Sequence, residues 1–433
     1  MIDATVAKEQ TGDVEDPSGR SGGSVLGPQA DGLRPAGVRR PPLTLRIPEA
    51  YLPGYLAARE HDPEMAEAYI RHTTEGDPSA DAVAEDLSRL APGEVHAMLA
   101  GALDGSGAPI SGAPESLREF LAQAEDVPGW YDRGLARVAS RAFLRNSDIV
   151  LSALVGGSIV EGFSTLISKS FRIRGRVMNM GVRRLKANGM QLVEQYLPGG
   201  MDPGGDGWRL TLRVRLVHAQ SRRLLVRSDE WDQDRYGMPI SAAHVLLAGA
   251  AFSGRLMRHT AALGGDFTQE EREAYVHVWR YTGLLMGIPE EILFHDEASA
   301  LRVFRVGTMC EPPADDDAII MANSIVNSAP VIVGVSEPAD RRQMARVVTQ
   351  TSRELIGDEL ADTFLFPTGR RKMVPWMRFK NRSRRILRKT LPRWAGKRDL
   401  ARFKYLLDFA SFDRLEHSYR LPTSLYDEDS ADW

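Results

Sequence analysis

Apolar residues recur along this chain at spacings of three and four, and that rhythm predicts an all-α protein of around a dozen helices. Residues 114–125 carry Leu117, Phe120, Leu121 and Ala124 on one face, with the Ser116 region as the cap. Residues 134–144 do the same with Leu135, Val138, Ala139, Ala142 and Phe143. Short amphipathic helices are expected at 63–70 and 81–90, and a long one at 177–197 with a possible break at Gly189. Thr268 and Glu271 form a capping box that opens a helix through Tyr275 and Trp279, which ends near Gly287-Ile288-Pro289. Further helices are expected at 298–306, 318–326 and 340–356.

Some stretches resist this rhythm. Residues 147–167 are apolar throughout and contain Gly156-Gly157, which predicts a buried helix approached closely by another helix or a flat ligand. Residues 241–262 are apolar with many small side chains. Residues 208–227 alternate like a strand over Leu210, Leu212, Val214 and Leu216, yet run to the length of a helix, so both remain open. Residues 331–335 are one short strand candidate. No run approaches the ~18 apolar residues needed to span a bilayer.

Residues 1–45 are rich in Gly, Pro, Asp and Ser and lack the basic start and apolar stretch of a secretory signal, so they are expected to be a disordered tail. A single helical domain is expected over 46–415, followed by a tail at 416–433. Hydrophobic content of 43% is enough for a sizeable core, and the net charge of -3 names no partner. The single cysteine, Cys310, excludes an intramolecular disulfide framework and multi-cysteine metal sites. It also fits a reducing compartment, so a cytoplasmic protein is expected.

Candidate chemistry centres on His218, in Arg213-Val214-Arg215-Leu216-Val217-His218-Ala219. An imidazole in an apolar setting flanked by arginines suits an iron ligand within a cofactor such as haem, with the cations meeting its propionates. The plainer alternative is a hydrogen-bonded core histidine. His61, His72, His96, His295 and His417 have polar surroundings and are expected at the surface, whereas His259 and His277 sit on helices. His277 suits either core packing or a pocket wall, and His244 is a secondary ligand candidate. There is no G-x-S-x-G elbow, no phosphate-binding loop and no H-E-x-x-H spacing; Gly199 to Gly205 is a turn. Residues 370–404 are strongly basic with Trp376, Phe379 and Trp394 interleaved. They suit a solvated helix, or a nucleic-acid or anionic membrane surface.

Several stretches, taken in order, resemble a known family. They are Gly175-Arg176-Val177, Arg183-Arg184-Leu185, Gly207-Trp208, the Arg213 to Ala219 block, Gly237-Met238-Pro239-Ile240, and the aromatic run from Glu273 to Gly283 closed by Gly287-Ile288-Pro289. Their order and spacing resemble the oxygenase domain shared by bacterial latex-clearing proteins (rubber oxygenases) and fungal MpaB-type oxygenases. The likeness is best over 115–310 and extends more loosely through basic helices at 338–415. It implies a globin-like helical core holding haem b, with His218 as the proximal iron ligand. Arg184 matches a distal arginine, and Glu161, in Gly157-Ser158-Ile159-Val160-Glu161, matches a proposed base. Arg215 and Arg222 are the propionate candidates. Asn188 stands where the family has a threonine, and Ala187 where it has a lysine, with Lys186 one place off. The implied activity is a haem-dependent oxygenase using dioxygen on a hydrophobic, unsaturated small molecule or lipid. The alternatives are a non-catalytic haem or ligand-binding protein, and a basic nucleic-acid or membrane-surface module.

Overall fold

Proline and aspartate set the first helices. In α1 (Leu52–His61), α2 (Pro63–His72) and α3 (Pro78–Leu87) a proline occupies the first turn, where its missing N–H costs nothing. The Asp62 and Asp77 side chains cap α2 and α3 by accepting from the backbone N–H of Met65 and Ala80. α4 (Pro92–Leu103) and α5 (Glu115–Glu125) follow. No side chain caps α5: the hydroxyl of Ser116, expected at the cap, instead donates to Asp86 Oδ2 at 2.7 Å. α6 (Arg133–Ala153) runs on through a π-helical turn, π1 (Leu154–Ser158), into α7 (Ile159–Gly162). This continuous helix, Arg133–Gly162, does hold a window apolar enough to cross a bilayer, against the sequence expectation. As 61% of that window is buried in the fold, it is a core helix.

The computed structural model describes residues 45–103, 112–174, 177–369, 372–390 and 421. Apart from Leu45 and Leu421, both expected tails lie outside the described residues. α8 (Ile167–Arg174), α9 (Val177–Tyr196), α10 (Asp206–Val226) and α11 (Gln233–Tyr236) complete the middle of the chain. A second interrupted helix comprises α12 (Ala242–Ala250), the π-helical turn π2 (Ala251–Arg255) and α13 (Leu256–Ala262). Then come α14 (Gln269–Leu285), α15 (Glu297–Cys310), α16 (Asp316–Ile332), α17 (Pro338–Ile356), α18 (Asp358–Thr363) and α19 (Met373–Thr390). The all-α expectation holds, with no strand among the described residues. Residues 208–227 are helical. The strand candidate at 331–335 is the end of α16 and the turn after it, because Pro330 lies inside the helix and Gly334 at φ 77° stops it. α9 is unbroken at Gly189.

Stacked aromatics pin the centre. Tyr196 lies between Phe143 (5.0 Å between ring centres) and Tyr275 (4.5 Å), tying α9 to α6 and α14. Its hydroxyl donates to the Tyr275 carbonyl at 2.8 Å, so the buried O–H is satisfied. The glycine-rich turn after α9 folds α10 back along it, with Gly199 and Gly204 at positive φ. At Gly207 a Cβ would lie 2.7 Å from the Glu194 carbonyl oxygen and 2.8 Å from Gln195 Cα, so only glycine lets the helices touch there. This contact fixes the level of the hairpin. Helices advance about 1.5 Å per residue. Seven residues beyond 207 and seven before 195, Val214 is therefore level with Asn188; at eleven residues, His218 is level with Arg184.

Candidate functional site

His218 sits on the stripe Thr211, Val214, His218, Ser221 of α10, at helical spacings of three, four and three. The ends of the stripe, Thr211 and Ser221, are fully buried, and their hydroxyls bond back to the carbonyls of Gly207 and Val217. Val214 and His218 between them are only half-buried. This face of α10 is thus sealed at both ends and open at its middle, and the half-buried stretch at Val214 and His218 is the candidate recess. Lys186, Ala187 and Asn188, on the facing level of α9, are half-buried as well. The Arg184 side chain lies outside the described residues; its backbone is on α9. This arrangement fits a group held between α9 and α10 with an imidazole on one wall. Among the described residues, no cluster of three or more His, Cys, Asp or Glu could hold a bare metal ion.

Arg215 and Arg222 do not join this recess, which corrects their assignment as propionate partners. Arg215 grips Asp77 with two hydrogen bonds, Nε to Oδ2 at 2.6 Å and Nη2 to Oδ1 at 2.8 Å, and both residues are buried. Arg222 pairs with Asp81 and donates from Nη2 to the Ile240 carbonyl at 2.9 Å. These pairs clamp α10 onto α3, using fork geometry that suits arginine. Gly287, at φ 84°, leaves room for the Asp77–Arg215 pair: a Cβ there would sit 2.9 Å from Arg215 Nε.

Glu161 builds a second centre. It is 4% exposed, directly after π1. Arg255, closing π2, donates from Nε to Oε2 at 2.9 Å and from Nη2 to Oε1. His259 Nε2 lies 2.9 Å from Oε2. Burial pushes the carboxyl's pKa up, but the His259 and Arg255 interactions outweigh it and hold it below the ordinary value. Gly157 makes the geometry possible, since a Cβ there would stand 2.6 Å from His259 Cδ2. The close approach expected at Gly156-Gly157 is thus real, and the approaching group is this imidazole. An ion-paired carboxylate of lowered pKa, with both oxygens engaged, is a poor proton acceptor. The structure presents Glu161 as an anchor rather than a base, and none of its hydrogen bonds reaches α9 or α10 among the described residues.

The remaining histidines are structural or exposed. His244 is buried, with Nε2 2.9 Å from the Tyr51 hydroxyl and 3.5 Å from Glu311 Oε1, and Nδ1 in the cap of α12. Glu311 also accepts from the Tyr69 hydroxyl at 2.6 Å and the Leu166 N–H at 2.9 Å. These bonds commit His244 to a buried network, and it is not available as a ligand. His277 stacks on Tyr131 at 5.4 Å, and its Nε2 accepts from the Asp132 N–H at 2.9 Å, which is core packing. His72, expected at the surface, is buried, with Nδ1 2.7 Å from the Ala68 carbonyl. His61, His96 and His295 are exposed as expected, and His417 lies outside the described residues.

Comparison with known proteins follows the same outline. A family model described as "ER-bound oxygenase mpaB/B'/Rubber oxygenase, catalytic domain" matches residues 152–391, more than half of the chain. The match starts later than the likeness expected from residue 115, takes in much of the looser stretch beyond 310, and ends at 391, short of the expected 415. The rubber oxygenase of Streptomyces sp. (strain K30) is 29% identical over 192 residues. That alignment covers 42% of this chain and 45% of the relative, so less than half of the relative's length is spanned. The structure of latex clearing protein LCP in the closed state superposes with a TM-score of 0.60 at 20% identity, covering 82% of this chain and 95% of that one. This second likeness bears on the fold, and it agrees with the all-α architecture. With His218, the Arg184 turn and the Glu161 anchor all inside the matched segment, the chain belongs to the MpaB and rubber oxygenase catalytic-domain family.

Proposed function

We propose that this protein is a haem b-dependent oxygenase that uses dioxygen on a hydrophobic, unsaturated small molecule or lipid. The observation that carries the proposal is the half-buried stretch at Val214 and His218, level with Asn188 and Arg184 respectively across the α9–α10 hairpin and inside the family-matched segment. In this reading His218 would hold the haem iron through a ring nitrogen, and Arg184, on the facing helix, would offer a charge-assisted donor. Haem iron supplies the capacity to bind and reduce dioxygen. Val214 and Ala187 give the recess apolar wall, which favours a hydrophobic substrate and limits water. Asn188 contributes a neutral amide, able to donate and to accept, at the level of Val214. Glu161, ion-paired with Arg255 and hydrogen-bonded to His259, ties π1 to π2.

The test is the visible spectrum of protein purified after haem-replete expression. A Soret band is expected, and His218→Ala should lose it while keeping its helical circular dichroism. Wild-type protein with no Soret band and no uptake of added haemin would overturn the proposal. Ala187, in place of the lysine that the resemblance leads one to expect, favours a second reading as a non-catalytic haem protein. Dioxygen consumption with alkene substrates separates the two: turnover supports the oxygenase, and haem binding without any turnover supports the carrier.

A further inference from the structure

α19 is docked on one side only. The Glu354 carboxylate accepts from the backbone N–H groups of Lys372, Met373 and Val374 at 2.8–3.0 Å and so caps its start. Arg378 Nε donates to the Ala262 carbonyl and Asn381 Nδ2 to the Leu263 carbonyl, both at 2.8 Å. Arg385 pairs with Asp266 at 2.8 Å. Gly264, at φ 90°, lets the α19 backbone approach: a Cβ there would be 2.9 Å from the Arg378 carbonyl oxygen. With Val374 and Met377, these residues form the inner face.

The opposite stripe is Trp376, Phe379, Ser383 and Ile386, again at spacings of three, four and three. Trp376 is 53% exposed, Phe379 71% and Ile386 65%. Cations border it: Lys380 lies 4.8 Å from the centre of the Trp376 ring on one side, with Arg382 on the other, while Arg384 turns back to pair with Asp148 of α6 at 3.9 Å. The sequence of α19 holds seven basic residues and no carboxylate, in a chain whose net charge is -3. An exposed apolar stripe edged by cations, on a helix held flat against the body, matches the interfacial geometry of a membrane-surface helix.

We propose that the outer face of α19 docks the protein on an anionic lipid surface, with Trp376, Phe379 and Ile386 entering the headgroup boundary and Lys380 and Arg382 meeting lipid phosphates. A nucleic-acid duplex would satisfy the cations but leave the apolar stripe in water. A single strand would use the two rings for stacking, but Ile386 offers it no π face. A lipid surface uses both kinds of residue at once. This proposal stands whether or not the recess at His218 holds haem.

Vesicle co-sedimentation of the full chain tests it, with phosphatidylcholine vesicles compared with phosphatidylcholine–phosphatidylglycerol mixtures. Binding is expected only to the anionic vesicles and should weaken as salt rises. The double variant Trp376→Ala, Phe379→Ala should bind at least about tenfold more weakly with unchanged thermal unfolding, since both rings are exposed. Lys380→Glu with Arg382→Glu should abolish the preference for anionic lipid. Equal binding by the ring variant would overturn the assignment of this face. So would absence of vesicle binding, or binding to RNA or DNA oligonucleotides without binding to vesicles.

Discussion

Two adjacent glycines in π1 should respond to the same substitution with opposite signs. At Gly156 an added Cβ meets Leu355 Cδ1 at 3.6 Å and Ser352 Oγ and Thr351 Cγ2 at 3.8 Å, which is ordinary packing. Gly156→Ala should therefore be stabilising by up to ~1 kcal/mol, the helix-propensity difference between the two residues. At Gly157 the Cβ meets His259 Cδ2, Cγ and Nε2 at 2.6, 2.7 and 2.9 Å. To restore a normal carbon–carbon separation the ring must retreat by about 1 Å, and its Nε2 is the atom 2.9 Å from Glu161 Oε2. Overpacking costs about 1–3 kcal/mol, and weakening a hydrogen bond to a buried charge about 1.5–3 kcal/mol. Set against the same propensity gain of ~1 kcal/mol, Gly157→Ala should destabilise by about 1.5–5 kcal/mol. Urea unfolding followed by circular dichroism measures both variants against wild type. A double-mutant cycle with His259→Ala identifies the cause, because removing the ring should remove most of the penalty at Gly157. The reasoning fails if the two variants shift the midpoint in the same direction, or if the penalty at Gly157 persists without the ring.

Three further outcomes follow from the same geometry. Asp77→Ala leaves buried Arg215 without its two carboxylate contacts and should cost about 3–5 kcal/mol, with an unchanged unfolding midpoint counting against the clamp. Glu161 has a folded pKa below its unfolded value, so its stabilisation is present above the unfolded value, about 4.5, and is lost as pH falls through the folded one. Glu161→Gln should flatten that acid limb, and acid titrations that superimpose for the two proteins would contradict it. Burial lowers the pKa of His277, as does Arg280, while Asp132 partly opposes them. Protonation then opposes folding: the contribution is full above the unfolded value of about 6.5 and declines as pH falls through it toward the folded pKa. His277→Gln should lose this component of the pH dependence, and a slope that survives the substitution would refute the assignment.

Local signals in the sequence were dependable where a feature is made by neighbours along the chain. The Thr268–Glu271 box opens α14, and Gly287 closes it at positive φ. Gly156-Gly157 announced a close approach, though not by which group, because the approaching His259 is about a hundred residues away and no local spacing encodes it. The same limit explains Arg215 and Arg222. Their partners Asp77 and Asp81 lie on α3, separated by 138 and 141 residues, so arginines flanking a histidine looked like anion anchors. His72 looked superficial among polar neighbours, since its burial comes from tertiary packing. The strand-like alternation over 210–216 has a similar origin. α10 is covered on several sides, by α3, α9 and α14, so its apolar positions do not form one clean stripe. His218 was legible as a candidate, but the recess around it depends on the level of the hairpin, which Gly207 sets.

The π-helical turns also act as a register device. A π turn closes over five residues where an α turn closes over four, so π1 carries surplus chain inside an otherwise regular helix. Deleting one residue from Leu154–Ser158 would let the helix continue as plain α with the residues after it still facing as they do, whereas the same deletion inside α6 would rotate everything after it by about 100°. Glu161 would then keep its place beside Arg255 and His259 while its number along the chain fell by one. A relative that lacks the surplus residue could hold its carboxylate in the same place and still stand one position off when the two sequences are counted without a gap. Counting along an alignment is therefore a poor guide to which carboxylate anchors π2, and the bond from Arg255 is the better one.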